Sequence, residues 1–146
     1  LAVQVEHRTG RHDRRERIPD PGAWLVGDRL EEMFRRQTEF MQLLKDHDRV
    51  PEWPVDLTSK PGQRLCKETI FNMIEELMEA SFTLKNRTHR LTDARLVDVE
   101  HFREELGDAF AYFIELLIFV GMSPEEMYQE YCRKNAIVRE RLEKGY

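Results

Sequence analysis

Apolar residues recur at three- and four-residue intervals in four stretches of this chain, and nowhere do they alternate with polar ones over a strand's length. That periodicity belongs to helices, and no Asn-Gly or Asp-Gly hairpin signal competes with it. The expected fold class is all-α, a bundle of four to five helices. Asp28 reads as the N-cap of the first helix, with Glu31 placed to complete a capping box. Leu30, Met33, Phe34, Met41 and Leu44 then follow helical spacing. The second helix is predicted over 63–84, with Phe71, Ile74, Met78 and Phe82 as its inner face. The third is predicted over 97–120, turning Phe102, Leu106, Ala109, Phe110, Phe113 and Leu117 inward and ending at Gly121. Ser123-Pro124-Glu125-Glu126 carries cap, first-turn proline and capping-box acid for a fourth helix running to about residue 144.

The segments between helices divide the chain. Residues 1–26 mix five arginines with acids and end in Pro19-Asp20-Pro21-Gly22, with no apolar period. This reads as a flexible charged N-terminal arm ahead of one helical domain over 27–146. The arm is either a solvated tail or a phosphate-binding one. Residues 48–62 contain three prolines and cannot be helical throughout. Trp53 within them either anchors the loop on the core or stacks on a nucleobase.

A chain of 146 residues, 40% hydrophobic and 35% charged, supports one modest core and is expected to need a partner subunit. The net charge of −5 argues against general binding to nucleic acid or a membrane surface. Cys66 and Cys132 form no close-spaced pair, so neither a zinc nor a redox motif is present, and a reducing, cytoplasmic setting is expected. The apolar run over 109–120 is interrupted by Glu115 and too short to span a bilayer. Residues 1–5 run straight into charge, unlike a secretory leader.

Chemistry concentrates in two acidic clusters, Glu75-Glu76-x-x-Glu79 and Glu104-Glu105-x-x-Asp108, one on each of the central helices. Carboxylates three or four residues apart share a helix face. In both clusters that face borders the apolar stripe, and few basic residues stand at pairing distance. Two readings stay open: a solvated acidic surface, or a site for a hard divalent cation with oxygen ligands. No histidine falls within either cluster, so the Glu-x-x-His pairs of di-iron bundles are absent. An all-carboxylate site suits Mg²⁺, with Mn²⁺ as substitute, and points to hydrolysis of a phosphate-bearing substrate. Lys134, Asn135, Arg139 and Arg141 near the C-terminus suit a polyanion's outer phosphates, or are ordinary helix C-terminal charge. Gln37, in the middle of the first apolar stripe, is satisfied by neighbouring groups or faces a ligand's polar edge.

The succession E-E-x-x-E, then E-E-L-G-D, then Lys134-Asn135-x-x-Val138-x-x-Arg141-x-x-x-Gly145-Tyr146 resembles the all-α nucleoside triphosphate pyrophosphohydrolases, the MazG-like and dimeric dUTPase superfamily. The resemblance covers residues 28–146. It implies that Glu76, Glu79, Glu105 and Asp108 are metal ligands, and that Glu75 or Glu76 positions or deprotonates the attacking water. It further implies that Lys134, Asn135, Arg141 and Tyr146 contact phosphates or sugar, that Gln37 reads the base, and that the bundle forms a homodimer or homotetramer. The expected reaction converts a nucleoside triphosphate, dUTP or another deoxynucleotide, to its monophosphate and pyrophosphate. Val138 and Leu142 replace an Asn and a Gln of the closing motif, and no tryptophan follows the first acidic cluster. A phage-type branch acting on dGTP or dATP is therefore an alternative. A non-catalytic, metal-stabilised interaction module is another.

Overall fold

The computed structural model describes residues 28–84 and 97–145. Four helices account for most of them: α1 (Arg29–Asp46), α2 (Lys60–Thr83), α3 (Val99–Phe119) and α4 (Pro124–Glu143). No strand occurs among the described residues, as the periodicity requires. The N-terminal arm, the basic loop over 86–95 and Tyr146 lie outside them. Among the described residues, no single helix is long and apolar enough to cross a membrane.

Local signals set the helix starts. The Asp28 carboxylate accepts the Leu30 N–H at 2.8 Å, but Glu31 does not return the bond, so the cap is one-sided. The α4 capping box is complete: Ser123 Oγ accepts from Glu126 N, and Ser123 N donates to Glu126 Oε2 at 2.8 Å. That backbone bond holds the Glu126 carboxyl below its usual range. α2 begins at Lys60, three residues before the predicted start, because Ser59 caps it and Pro61 occupies a first-turn position that needs no N–H partner. Gly62 permits this start: a Cβ there would lie 2.2 Å from the carbonyl oxygen of Asp56. α3 starts two residues later than predicted, at Val99, where the Asp98 carboxylate accepts from His101 N at 3.0 Å.

The large apolar side chains gather at one end of the molecule. Phe34 and Met41 of α1 meet Ile114, Leu117, Ile118 and Phe119 of α3, with Trp53, Val55 and Leu65 packed against them. Trp53 thus anchors its loop on the core, with Lys45 Nζ 5.6 Å from the ring centroid. Val55 N donates to the Phe119 carbonyl at 2.8 Å, tying the loop to the end of α3. Leu65 near the start of α2 thereby meets the end of α3, while Glu76 in mid-α2 meets Glu105 near the start of α3. The two helices run antiparallel. α1 packs elsewhere on α3, and its backbone does not approach α2. α3 and α4 meet at 108° across the turn at Gly121, whose φ is +74°.

The inner face expected of α2 is not the one that packs. Phe71, Ile74, Met78 and Phe82 do not face the interior; Phe71 is 62% and Phe82 60% exposed. α2 instead turns Cys66, Thr69, Ala80 and Thr83 inward. Small side chains let the backbones of α2 and α3 approach closely over much of their length. The large apolar stripe is left on the outside. Leu106 and Phe110 of α3 are likewise exposed, whereas Ala109 and Leu117 are buried as predicted.

Candidate metal centre

The antiparallel pairing of α2 and α3 brings the two acidic clusters face to face. Ligand oxygens of Glu76, Glu105 and Asp108 all lie within 4.8 Å of one another. Glu105 and Asp108 are three residues apart on one face of α3, and Glu76 reaches them from the inner face of α2. The small inward residues of α2 are what permit this approach.

Burial makes the arrangement costly. Glu105 is only 6% exposed and Glu76 is half-buried. Burial pushes the Glu76 carboxyl above its ordinary range, and a hydrogen bond shared with Glu105 and the charges of Glu79 and Asp108 push it further. One further contact to the cluster comes from a residue the cluster spacing did not single out. His101 Nε2 lies 2.5 Å from Glu105 Oε1, one helical turn upstream. The i,i+4 spacing of His101 and Glu105 was the available signal.

Tyr112 and Glu115 extend the polar face along α3. Burial raises the Tyr112 hydroxyl's pKa, and so, in decreasing order, do the charges of Glu76, Glu115, Asp108 and Glu75. Glu115 is half-buried and accepts from Gln37 Nε2 at 3.4 Å, across from α1 to α3. Burial raises its pKa against the opposing effect of that bond. Gln37 therefore has a protein partner on the same face of α3 that carries Asp108.

The remaining predicted site residues stand apart. Glu79 is exposed; its charge reaches Glu76, but its carboxylate is not among the three that converge. Glu75 is exposed on α2, near enough to influence Tyr112. Lys134, Asn135 and Arg141 are exposed on α4, which buries no residue and whose backbone approaches only that of α1. Within one chain they do not join the carboxylates. Tyr146 lies outside the described residues.

Fold and site together define, among the described residues, an all-helical unit with three carboxylates converging between antiparallel helices. No protein-family model, no curated protein and no solved structure matches the chain.

Proposed function

We propose that the chain is a Mg²⁺-dependent nucleoside triphosphate pyrophosphohydrolase, releasing a nucleoside monophosphate and pyrophosphate. The observation that carries this reading is the convergence of Glu76, Glu105 and Asp108 within 4.8 Å, two of them at least half-buried. Like charges so placed repel strongly unless a cation lies among them. The donor set is hard oxygen with no nitrogen or sulfur in the trio, which fits Mg²⁺ or Mn²⁺ better than zinc or iron. When bound, the cation supplies Lewis-acid polarisation of phosphate oxygens and a lowered pKa for water.

The chain's own residues divide the rest of the work. Glu76, Glu105 and Asp108 hold the cation, and Glu79 lies one turn further along α2 to widen the cage. Glu75 or Glu76 orients the attacking water and accepts its proton. Gln37 meets the base, and Lys134, Asn135, Arg141 and Tyr146 offset phosphate charge. The outward stripe of Phe71, Ile74, Met78 and Phe82 supports assembly as a homodimer or homotetramer, since exposed apolar residues in a contiguous row mark an interaction surface.

The test is pyrophosphate release from a panel of common and modified nucleoside triphosphates, with Mg²⁺ and with Mn²⁺. Turnover of none of them refutes the reading. A second reading, a non-catalytic helical interaction module, is favoured by the exposed stripe and by the distance of the α4 basic residues from the carboxylates. Melting with Mg²⁺ and a nonhydrolysable nucleotide separates the two, because a catalytic site is stabilised by both ligands.

A further inference from the structure

A cavity of about 320 Å³ lies in the seam between α1, α3 and α4, with no polar surface turned into it. Leu30 and Phe34 wall it from α1, Phe110 and Phe113 from α3, and Tyr128 and Tyr131 from α4. Phe110, Tyr128 and Tyr131 are exposed, so the cavity opens to the surface. Left open, such a hollow keeps aromatic and aliphatic surface in water, which is unfavourable in proportion to its area. The helix most affected is α4. It buries no residue, and of the other three helices its backbone approaches only α1.

The sequence carries an apolar segment next to this opening. Ala23-Trp24-Leu25-Val26 is the longest apolar run within residues 1–27, and Trp24 is the one Phe, Trp or Tyr among them. Val26 stands two positions before Asp28, the N-cap of α1, and four before Leu30 in the cavity wall. Extended, the stretch from Trp24 to Asp28 reaches at most about 14 Å. A helix with its side chains is about 10–12 Å across. The Trp24 and Leu25 side chains are therefore within reach of the cavity with α1 left where it is.

We propose that Trp24-Leu25-Val26 fills this cavity within the same chain, as a strap that holds α4 against α1 and α3. A tryptophan buries about 150–250 Å² when it docks, and its indole N–H can stay at the open side of an otherwise apolar site. The tether decides the occupant. A second copy's α2 stripe or a free apolar ligand must compete from solution, whereas a segment joined to the wall by a few residues is present at an effective concentration on the order of millimolar. Lys134, Asn135 and Arg141 lie further along α4, so the strap would fix the helix that carries the basic residues. The inference stands independently of the pyrophosphohydrolase reading.

The chain has two tryptophans, Trp24 and Trp53, so the emission of the wild type minus that of Trp24→Phe belongs to Trp24. That emission is expected to be blue-shifted and shielded from acrylamide at every protein concentration. Phe110→Lys, which sets an ammonium group in the cavity wall, should shift it to the red and admit the quencher while the far-ultraviolet helical signal persists. Tyr131→Ser, at an exposed position of the same wall, serves the same purpose should Phe110→Lys lose its helices. Trp24→Ser should speed amide hydrogen exchange across α4 and leave α2 unchanged. Solvent-like Trp24 emission in the wild type overturns the proposal, as does shielding that survives both wall variants, or α4 exchange that Trp24→Ser does not alter. Shielding that is lost on dilution also overturns it, because a second copy is then the occupant.

Discussion

Replacing Glu76 by Gln should stabilise the metal-free protein, the reverse of the usual effect of altering a partly buried group. Coulomb's law at about 4.8 Å gives roughly 3.5 kcal/mol per like-charge pair at an effective dielectric of about 20, and roughly 0.9 at about 80. Protonating Glu76 is the protein's alternative. From an ordinary value of 4.5, that costs at most about 3.4 kcal/mol at pH 7, at about 1.36 kcal/mol per unit. His101 Nε2 also contacts Glu105 Oε1. A gain of about 1–2 kcal/mol therefore follows for Glu76→Gln at pH 7, or about 3–6 °C in Tm for a domain of this size. The sign of the pH dependence is also fixed. Because the folded-state pKa of Glu76 is raised, the folded state binds more protons than the unfolded one between the ordinary value and the raised one. Wild-type stability from this group falls as pH rises through that window, and Glu76→Gln removes the decline. Thermal melts in chelator from pH 4 to 8 measure both effects. Adding Mg²⁺ or Mn²⁺ should stabilise the wild type more than the variant, since only the wild type offers the third carboxylate. A variant that is less stable in chelator, with an unchanged response to the cation, would refute the reasoning.

Further expectations concern turnover, the helix starts and the exposed stripe. Asp108→Asn should abolish pyrophosphate release while circular dichroism shows the helices intact, and wild-type rates in that variant would defeat the mechanism. Gly62→Ala places a methyl group 2.2 Å from the Asp56 carbonyl oxygen and should cost roughly 1–3 kcal/mol by overpacking, read as a lowered Tm; an unchanged Tm would mean the loop yields freely. Ser123→Ala removes half of the α4 capping box and should cost about 1 kcal/mol, measured by urea unfolding. Phe71→Ser with Phe82→Ser should shift sedimentation toward monomer if the outward stripe binds a second copy, and an unchanged distribution would place the interface elsewhere.

What could be read from residues alone follows the range of the physics involved. The cap and first turn of α4 depend on contacts within four residues, so Ser123-Pro124-Glu125-Glu126 was enough to specify them. α2 shows the opposite case. A helical period identifies which side chains share a face, and Phe71, Ile74, Met78 and Phe82 do share one. It does not say which neighbour covers that face. The choice was made by Thr69, Ala80 and Thr83, whose small side chains allow α3 to approach along the other side. A row of small residues at helical spacing is the signal for such an approach, and it competes with a row of large ones only when both are weighed together. At the site, the pairing of Glu76 with Glu105 and Asp108 follows from two acidic clusters on adjacent helices. The contact of Gln37 with Glu115 spans 78 positions in the chain, and no local rule reaches that far. The visible trace of Glu115 was an acid interrupting an apolar run.

The distribution of packing bears on what the acidic end is for. Large apolar side chains fill the end where α1, the loop at Trp53 and the close of α3 meet. Elsewhere along α2 and α3, the buried positions include Thr69, Ala80, Thr83, Glu105 and Ala109 instead. An apolar residue at position 105 would remove a buried charge and add apolar burial, both favourable to folding. The chain forgoes both and sets two more carboxylates alongside. Proteins depart from the locally most stable choice mainly where a site demands it. Here one such departure falls on the facing sides of α2 and α3, and a second is the exposed apolar stripe on the outer side of α2. A merely solvated acidic surface would not bury Glu105, and a merely structural core would not charge it. The proposed cation site would call for both.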